Sequence, residues 1–255
     1  MRIDVVTLFP RMVDEPLSDS IVGRARREGR LELGFSNPRD FAEDRHGTVD
    51  DKPYGGGTGM VMMPGPIYKA LRKVRKKGSV VILLTPKGER FDQSLARKLS
   101  AKKHLVLICG RYEGVDERVS GLADAELSIG DFVLTGGEPA AVAVIDSVAR
   151  LLPGVLRKED ASVNESFTDG LLEAPHYTRP AVWRGLKVPE ALLSGDHKRI
   201  AEWRRRAAGE LTGRRRPDLL KREEVPPPSA RSRGKTVRKS GSGKDLRYSS
   251  VVSRK

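Results

Sequence analysis

The chain has 255 residues, a formal net charge of +14 and a single cysteine, Cys109. One cysteine cannot form an internal disulfide or a thiolate zinc site, and the four histidines are scattered without ligand spacing, so we predict no metal centre. There is no run of about 18 apolar residues and no signal-peptide pattern at the N-terminus, which argues against a membrane span and predicts a cytoplasmic protein.

The positive charge is concentrated at the C-terminal end of the sequence. Residues 226–255 carry nine Lys or Arg against one acid, Asp245, which gives this stretch a charge of +8. Because cationic side chains neutralise phosphates and release counterions, the surplus favours a nucleic-acid partner. The alternative is a solvated tail that only keeps the protein soluble. The Ser, Gly, Lys and Arg composition after the three prolines at 226–228 predicts a disordered basic tail.

Residues 1–150 alternate between predicted strands and helices. The N-terminal run MRIDVVTL predicts a strand, and it is followed by an arginine-bearing helix at 17–28 and a second strand at 31–35. The segment 43–59 is charged and then rich in glycine, which predicts a loop. Apolar residues at spacings of three and four then predict a helix over 66–77.

Two continuous apolar runs follow, SVVILLT at 79–85 and HLVLICG at 104–110. Such runs are typical of strands that are buried on both faces, as in a parallel sheet. Helices are predicted between them at 92–100 and again at 138–152, where Pro153-Gly154 ends the second. The alternation predicts an α/β fold with a buried parallel sheet over residues 1–156.

The composition changes after this domain. Residues 157–172 are mostly polar and predict an interdomain linker. Residues 173–225 are arginine-rich, with Ile200, Trp203 and Ala207 at helical spacing, and predict a small all-helical domain.

Three glycine-rich segments could hold a ligand: 54–59, 109–114 and 128–138. Glycines at the carboxyl ends of parallel strands let the backbone approach a ligand closely. Each segment alone indicates a tight turn, but the three together favour a bound cofactor. The sequence contains neither G-x-x-x-x-G-K-[ST] nor a G-x-G-x-x-G after the first strand, which disfavours nucleoside triphosphates, ordinary dinucleotides and sugar nucleotides.

Several runs in chain order resemble the bacterial tRNA (guanine-N1) methyltransferases. They are DRHGTVDDKPYGGGTGM (44–60), CGRYEGVDERV (109–119), SIGDFVLTGGE (128–138), IDSVAR (145–150), ESFTDGLLEAPHYTRP (165–180) and LLSGDHKRIAEWRR (192–205). The resemblance covers most of residues 1–222 and leaves the basic tail outside. It implies the SPOUT class, whose α/β sheet contains a deep trefoil knot. It also implies a homodimer that binds tRNA across both subunits and methylates N1 of guanosine 37, next to the anticodon.

The resemblance assigns the cofactor S-adenosylmethionine to residues of the last two glycine segments and of the strand before them. A bent methionine–adenosine ligand requires close backbone groups and apolar walls. For the aliphatic members of the set, plain core packing is the alternative. The residues are Leu84, Pro86, Gly110, Tyr112, Gly114, Ile129, Gly130, Asp131, Phe132, Val133, Leu134, Gly136 and Gly137.

Methyl transfer to guanine N1 requires a base for the N1 proton and a cation near O6. The family has an aspartate base before a Ser-Phe pair, and this sequence has Glu165 there, one methylene longer. The resemblance implies that Glu165 is the base and acts on the site of the other subunit. The alternatives are Asp169 and a purely structural carboxylate. Arg150 matches the family's catalytic arginine, and its alternative role is a cation at a helix C-terminus.

Further residues match segments that the family places against the tRNA. Near the target guanine these are Arg45, His46, Asp50, Gly55, Gly56 and Gly57; in the C-terminal part they are His176, Tyr177, Arg179 and Arg204–Arg206. Two other functions stay open from the sequence: a SPOUT enzyme acting on another RNA, and a non-catalytic RNA-binding protein.

Overall fold

The computed structural model describes residues 1–157 and 165–220 of the chain. The predicted disordered tail, the central part of the predicted linker and the last residues of the predicted C-terminal domain lie outside these ranges. Within them the strands are β1 (Arg2–Val6), β2 (Glu32–Ser36), β3 (Asp50–Asp51), β4 (Val61–Met62), β5 (Val80–Arg90), β6 (His104–Cys109), β7 (Ala125–Ser128), β8 (Val182–Trp183) and β9 (Leu186–Lys187).

Helices alternate with the strands of the first half and dominate the end of the second. The α-helices are α1 (Arg11–Asp14), α2 (Ser20–Arg27), α3 (Pro64–Val74), α4 (Gln93–Ser100), α5 (Glu138–Ala149), α6 (Glu190–Leu193), α7 (His197–Arg215) and α8 (Pro217–Leu220). Short 3-10 helices cover Glu15–Leu17, Pro38–Phe41 and Glu117–Leu122.

The central sheet has five parallel strands in the order β2-β1-β6-β5-β7. The prediction of an α/β fold with a buried parallel sheet is confirmed. Alternate residues of β5 and β6 point into two different hydrophobic cores. Ile82 and Leu107 lie on the face of the sheet that is covered by α2, α4 and α5. Leu83 and Val106 lie on the opposite face, which is covered by α3. Burial on both faces is the reason why these strands are apolar without alternation.

Strand β5 is longer than the sequence indicates. The prediction ended at Thr85, but pairing with β7 resumes at Glu89 after a register shift that begins at Leu84. Gly88 makes this second pairing possible, since a Cβ on it would lie 2.3 Å from the backbone nitrogen of Leu127.

A buried polar network closes the amino end of the sheet. The Asp4 carboxylate is fully buried and accepts bonds of 2.7 and 2.8 Å from the Arg2 guanidinium. The His104 Nε2 atom lies 2.7 Å from Asp4 Oδ2, and its Nδ1 atom lies 2.7 Å from the Ser79 hydroxyl. These bonds join the starts of β1, β5 and β6 at the end of the sheet opposite to their carboxyl ends.

The prediction of an all-helical C-terminal domain is wrong for the segment before Glu190. Strands β8 and β9 form a two-stranded antiparallel hairpin there, with Arg184 and Gly185 in the turn at positive φ. Prolines at 175, 180 and 189 prevent a continuous helix across this segment. Between Glu190 and Leu220 the chain is mostly helical, in α6, α7 and α8, and the Asp196 side chain caps α7 by accepting from the backbone of Lys198 and Arg199.

Candidate active site

A cavity of about 220 Å³ opens at the edge of the sheet where β6 and β7 end and where β5 stops pairing with β6. Its walls are residues 83–86 within β5, the segment 110–115 after β6 and the segment 127–137 from the end of β7, and Ala140 of α5 completes it. The carboxyl edge of a parallel sheet is where open α/β folds bind their ligands. The glycine segments 109–114 and 128–138 therefore meet at one site, as their position after strands indicated.

Most of the predicted cofactor residues line this cavity. They are Leu84, Pro86, Gly110, Tyr112, Gly114, Ile129, Gly130, Phe132, Val133, Leu134, Gly136 and Gly137. Asp131 is exposed and does not line the cavity. The Phe132 ring folds back over Gly130 beside the cavity, where an added Cβ would lie 2.6 Å from the ring. The lining also includes Thr85, Arg111 and Glu113, which the sequence did not single out.

Gly136 and Gly137 allow the start of α5 to touch the end of β6. The Gly137 backbone nitrogen donates to the Gly110 carbonyl over 2.9 Å, and Arg111 forms an isolated bridge with Gly136. A Cβ on Gly137 would lie 2.8 Å from the Cys109 Cα atom, closer than side chains normally approach. Gly137 is therefore required by backbone packing between opposite walls of the cavity, and Gly136 by the Arg111 and Glu138 side chains that pack against it.

A buried ion pair lies directly behind this contact. Glu138, the first residue of α5, is fully buried, and its Oε2 atom lies 2.9 Å from the Arg111 Nε atom. Its Oε1 atom accepts a 2.6 Å hydrogen bond from the Thr7 hydroxyl. This network could not be predicted from the sequence, because a glutamate in the first turn of a helix is common on protein surfaces.

The single cysteine lies next to the cavity, but its thiol is not reactive. Cys109 is buried, and burial raises the pKa of its thiol well above the ordinary value, with the negative charge of Glu138 raising it further. The thiol therefore stays protonated, which excludes it as a nucleophile.

The loop with the predicted guanine-binding residues lies against the cavity wall. Strand β4 follows this loop, and the Met62 backbone nitrogen donates to the Gly114 carbonyl over 3.0 Å. Asp50 pairs with Met62 in the β3–β4 ribbon, and the Asp44 carboxylate accepts from the His46 backbone. The glycines 55–57 have positive φ, and an added Cβ would meet nothing within 4 Å at Gly55 and Gly56, while Arg45 and His46 are exposed.

The two predicted catalytic residues form an ion pair with each other. The Arg150 guanidinium donates to both Glu165 carboxylate oxygens, over 2.7 and 2.6 Å. Both side chains are partly shielded, with 35% of Arg150 and 23% of Glu165 exposed. A bidentate arginine–carboxylate pair of this kind has a defined orientation as well as charge.

This ion pair lies far from the cavity of the same chain. Gly137 precedes α5 and Arg150 follows it, so the rise of the helix separates their backbones by about 20 Å. Reacting atoms must approach to about 3–3.5 Å. Within one chain, the cavity and the Arg150–Glu165 pair cannot act on the same atom in this arrangement.

The C-terminal part holds two adjoining pockets. His176, Tyr177 and Arg179 line one of about 430 Å³, and the Tyr177 ring packs edge-on against Trp203. Glu165 and Asp169 line the other, of about 500 Å³. Both pockets are bordered by Pro175, His176 and Arg204, and the second pocket is also bordered by Arg205. The Arg206 Nε atom lies 3.8 Å from the Glu210 Oε1 atom.

These features define an α/β protein with a ligand cavity at the carboxyl edge of its parallel sheet, a separate carboxylate–arginine pair and a basic C-terminal unit. Residues 1–222 match the family model described as tRNA (Guanine-1)-methyltransferase TrmD. The chain belongs to this family, and its activity is that of a tRNA (guanine-N1)-methyltransferase. The matches do not support a non-catalytic RNA-binding protein.

Relatives named tRNA (guanine-N(1)-)-methyltransferase match most of the chain. The relative from Dictyoglomus turgidum is 54% identical over 225 residues, covering 88% of this chain and 92% of its own. The relative from Carboxydothermus hydrogenoformans is 55% identical over 222 residues, and the relative from Chloroflexus aggregans is 56% identical over 226 residues. Each of these matches covers 87% of this chain and 88% of the relative's length. No helix in residues 1–157 or 165–220 has the length and apolar character of a membrane span.

Proposed function

We propose that the protein transfers a methyl group from S-adenosylmethionine to N1 of guanosine 37, 3′ of the anticodon in tRNA, to give N1-methylguanosine. The observation that carries the proposal is the cavity at the carboxyl edge of the sheet, because it gathers the residues that the family resemblance assigns to the cofactor. An enzyme that modifies tRNA would act in the cytoplasm.

The cavity has the chemistry that S-adenosylmethionine requires. Leu84, Ile129 and Leu134 supply apolar surface for the adenine, and the glycines at 110, 114 and 136–137 carry no side chains, so that a bent ligand can approach the backbone closely. When bound, S-adenosylmethionine supplies a methyl group that is already activated on a sulfonium. The chain's own residues then have to bind the guanine, orient it and remove its proton.

Glu165 and Arg150 divide the remaining chemistry between them. A guanine that enters between the two side chains replaces their mutual hydrogen bonds. Glu165 then accepts the N1 proton, and Arg150 donates to O6, where negative charge develops as that proton leaves. The ion pair orients the carboxylate before substrate binds, which a general base requires.

The separation along α5 supports an active site built by two chains. The pair on one chain is about 20 Å along the helix from its own cavity, so a second copy has to bring its pair to that cavity. A homodimer with two such shared sites follows the usual two-fold symmetry of soluble oligomers. In this arrangement Glu165 acts in trans, and the separated chain is inactive.

RNA recognition involves both parts of the chain. A paired guanine hides N1, so the enzyme has to take an unpaired loop base. Arg45, His46 and the glycines 55–57 would contact that base beside the cavity, and the pockets around His176 and Arg204 would hold neighbouring nucleotides. The trefoil knot remains part of the proposal and is supported by the family resemblance alone.

The test is methyl transfer to unmodified tRNA transcripts with guanosine at position 37, with the product mapped by mass spectrometry. We expect methylation at N1, lost in Glu165→Gln and retained in Asp169→Asn, the matched control from the same pocket. Activity that survives Glu165→Gln but not Asp169→Asn would move the base to Asp169. Methylation of a different base or RNA would overturn the proposed substrate.

A further inference from the structure

We propose that Glu138 is a positioning residue for the cofactor cavity, because its buried ion pair with Arg111 fixes the contact between two opposite cavity walls. This inference rests on the proposed function of that cavity. Glu138 itself does not line the cavity, whereas Arg111 and both glycines that precede Glu138 do.

The burial of Glu138 shows how much the surrounding structure depends on its partners. The side chain is fully buried, and only 13% of the Arg111 side chain is exposed. A buried carboxylate is unfavourable unless opposite charge and hydrogen bonds compensate it. Here the compensation comes from Arg111 at 2.9 Å and from the Thr7 hydroxyl at 2.6 Å, two residues from different parts of the chain.

Arg111 in turn connects three segments around the cavity. On the wall after β7, its Nη1 atom donates to the Thr135 carbonyl over 3.3 Å. In the segment after β1, its Nη2 atom lies 2.8 Å from the Met12 sulfur, and its guanidinium lies 4.4 Å from the centre of the Phe9 ring. The backbone of the same residue forms the bridge to Gly136. Glu138 therefore holds an arginine that joins the walls after β6 and β7 to the segment after β1.

The ion pair packs directly against the cavity lining at Gly136. A Cβ on Gly136 would lie 2.3 Å from Arg111 Nε and 2.6 Å from Glu138 Oε2. Interior packing of this density transmits small displacements. A change in the ion pair is therefore passed to Gly136 on one wall and, through Arg111, to Gly110 and Tyr112 on the other.

The experiment is isothermal titration of the full-length protein with S-adenosylmethionine. Glu138→Gln keeps the size of the side chain and removes its charge, and we expect the Kd to rise by about tenfold or more, the effect of losing a buried charged contact. In steady-state kinetics the KM for S-adenosylmethionine should rise while kcat at saturating cofactor changes little. A purely structural role would lower the Tm without this KM shift.

Asp4→Asn is the matched control, because it neutralises an equally buried carboxylate at the opposite end of the sheet. We expect it to lower the Tm and leave the Kd unchanged. A wild-type Kd in Glu138→Gln, or an equal rise in both variants, would overturn the inference.

Two further outcomes are informative. If Glu138→Gln does not fold, Thr7→Val removes the 2.6 Å hydrogen bond to Glu138, together with the 2.9 Å bond that the Thr7 hydroxyl accepts from the Phe9 backbone nitrogen, and an unchanged Kd in that variant would overturn the inference. If the wild-type protein does not bind S-adenosylmethionine, the failure belongs to the proposed function of the cavity and the inference falls with it.

Discussion

Gly137→Ala adds one methyl group where the start of α5 touches the end of β6. Gly137 has a φ of −78°, which alanine adopts freely, so the substitution introduces no backbone strain. Its effect is therefore steric. The added Cβ would lie 2.8 Å from Cys109 Cα, whereas ordinary contacts begin at 3.4 Å, so α5 has to move away from β6 by roughly half an ångström.

Overpacking of this kind costs about 1–3 kcal/mol of unfolding free energy. In a protein of this size each kcal/mol lowers the Tm by about 2–4 °C, so we expect a fall of roughly 2–12 °C. Because Gly137 also lines the cavity, the affinity for S-adenosylmethionine should fall with it. The control is Gly209→Ala in α7, where an added Cβ meets nothing within 4 Å. There the better helix propensity of alanine should stabilise the protein by about 0.5–1 kcal/mol.

Thermal unfolding with and without S-adenosylmethionine measures both effects. The tight β6–α5 contact predicts that the Tm falls in Gly137→Ala and rises in Gly209→Ala. It also predicts that S-adenosylmethionine raises the Tm by less than in the wild type in Gly137→Ala only. If Gly137→Ala unfolds at or above the wild-type Tm and binds the ligand normally, the reasoning about this contact is refuted.

Two further predictions concern buried polar groups in each half of the structure. Burial alone raises the pKa of Asp4, but bonds from Arg2 and His104 outweigh it and hold that pKa below its ordinary value of 3.8. Asp4→Asn should therefore lower the unfolding free energy by about 3 kcal/mol at pH 7, and the difference from wild type should narrow as the pH falls below 3.8 through the folded-state pKa. Urea unfolding at several pH values measures this difference, and a constant difference would contradict the prediction. Thr212→Val removes the acceptor of the Leu172 backbone nitrogen, so it should cost about 1–3 kcal/mol in chemical unfolding, whereas Thr212→Ser should remain close to wild type.

The central sheet could be predicted because its strands carry a strong local signal. The runs at 79–85 and 104–110 are apolar on both faces, and both are confirmed as neighbouring parallel strands. The continuation of β5 to Arg90 could not be predicted, since Pro86 and Gly88 normally interrupt strands. It depends on pairing with β7, which no local pattern reveals.

The C-terminal hairpin also escaped prediction, because its strands have two residues each. Hydrophobic periodicity cannot be detected in so short a segment. The predicted helical domain therefore included residues that form the hairpin before α6. The Gly185 that follows Arg184 was the available signal, since a two-residue hairpin turn often has glycine at its second position.

The candidate site was partly predictable for a similar reason. Glycines after buried strands indicated a ligand edge, and two of the three segments meet in the cavity. Asp131 sits in the same run, but the sequence could not show that its side chain is left outside. The Thr7–Glu138 bond joins residues 131 positions apart, so only the folded chain shows why Glu138 is needed.

If the proposed two-chain active site is correct, the position of α5 predicts a genetic outcome, because the cavity lies at the start of this helix and the Arg150–Glu165 pair lies just after its end. In a two-fold dimer with shared sites, each working site takes its cavity from one chain and its base from the other. Consider a dimer in which one chain has a damaged cavity and the other chain lacks the base. One of its two sites combines the damaged cavity with the missing base, whereas the other site combines the intact cavity with the intact base. Two alleles that are each inactive alone would therefore complement each other in the same cell.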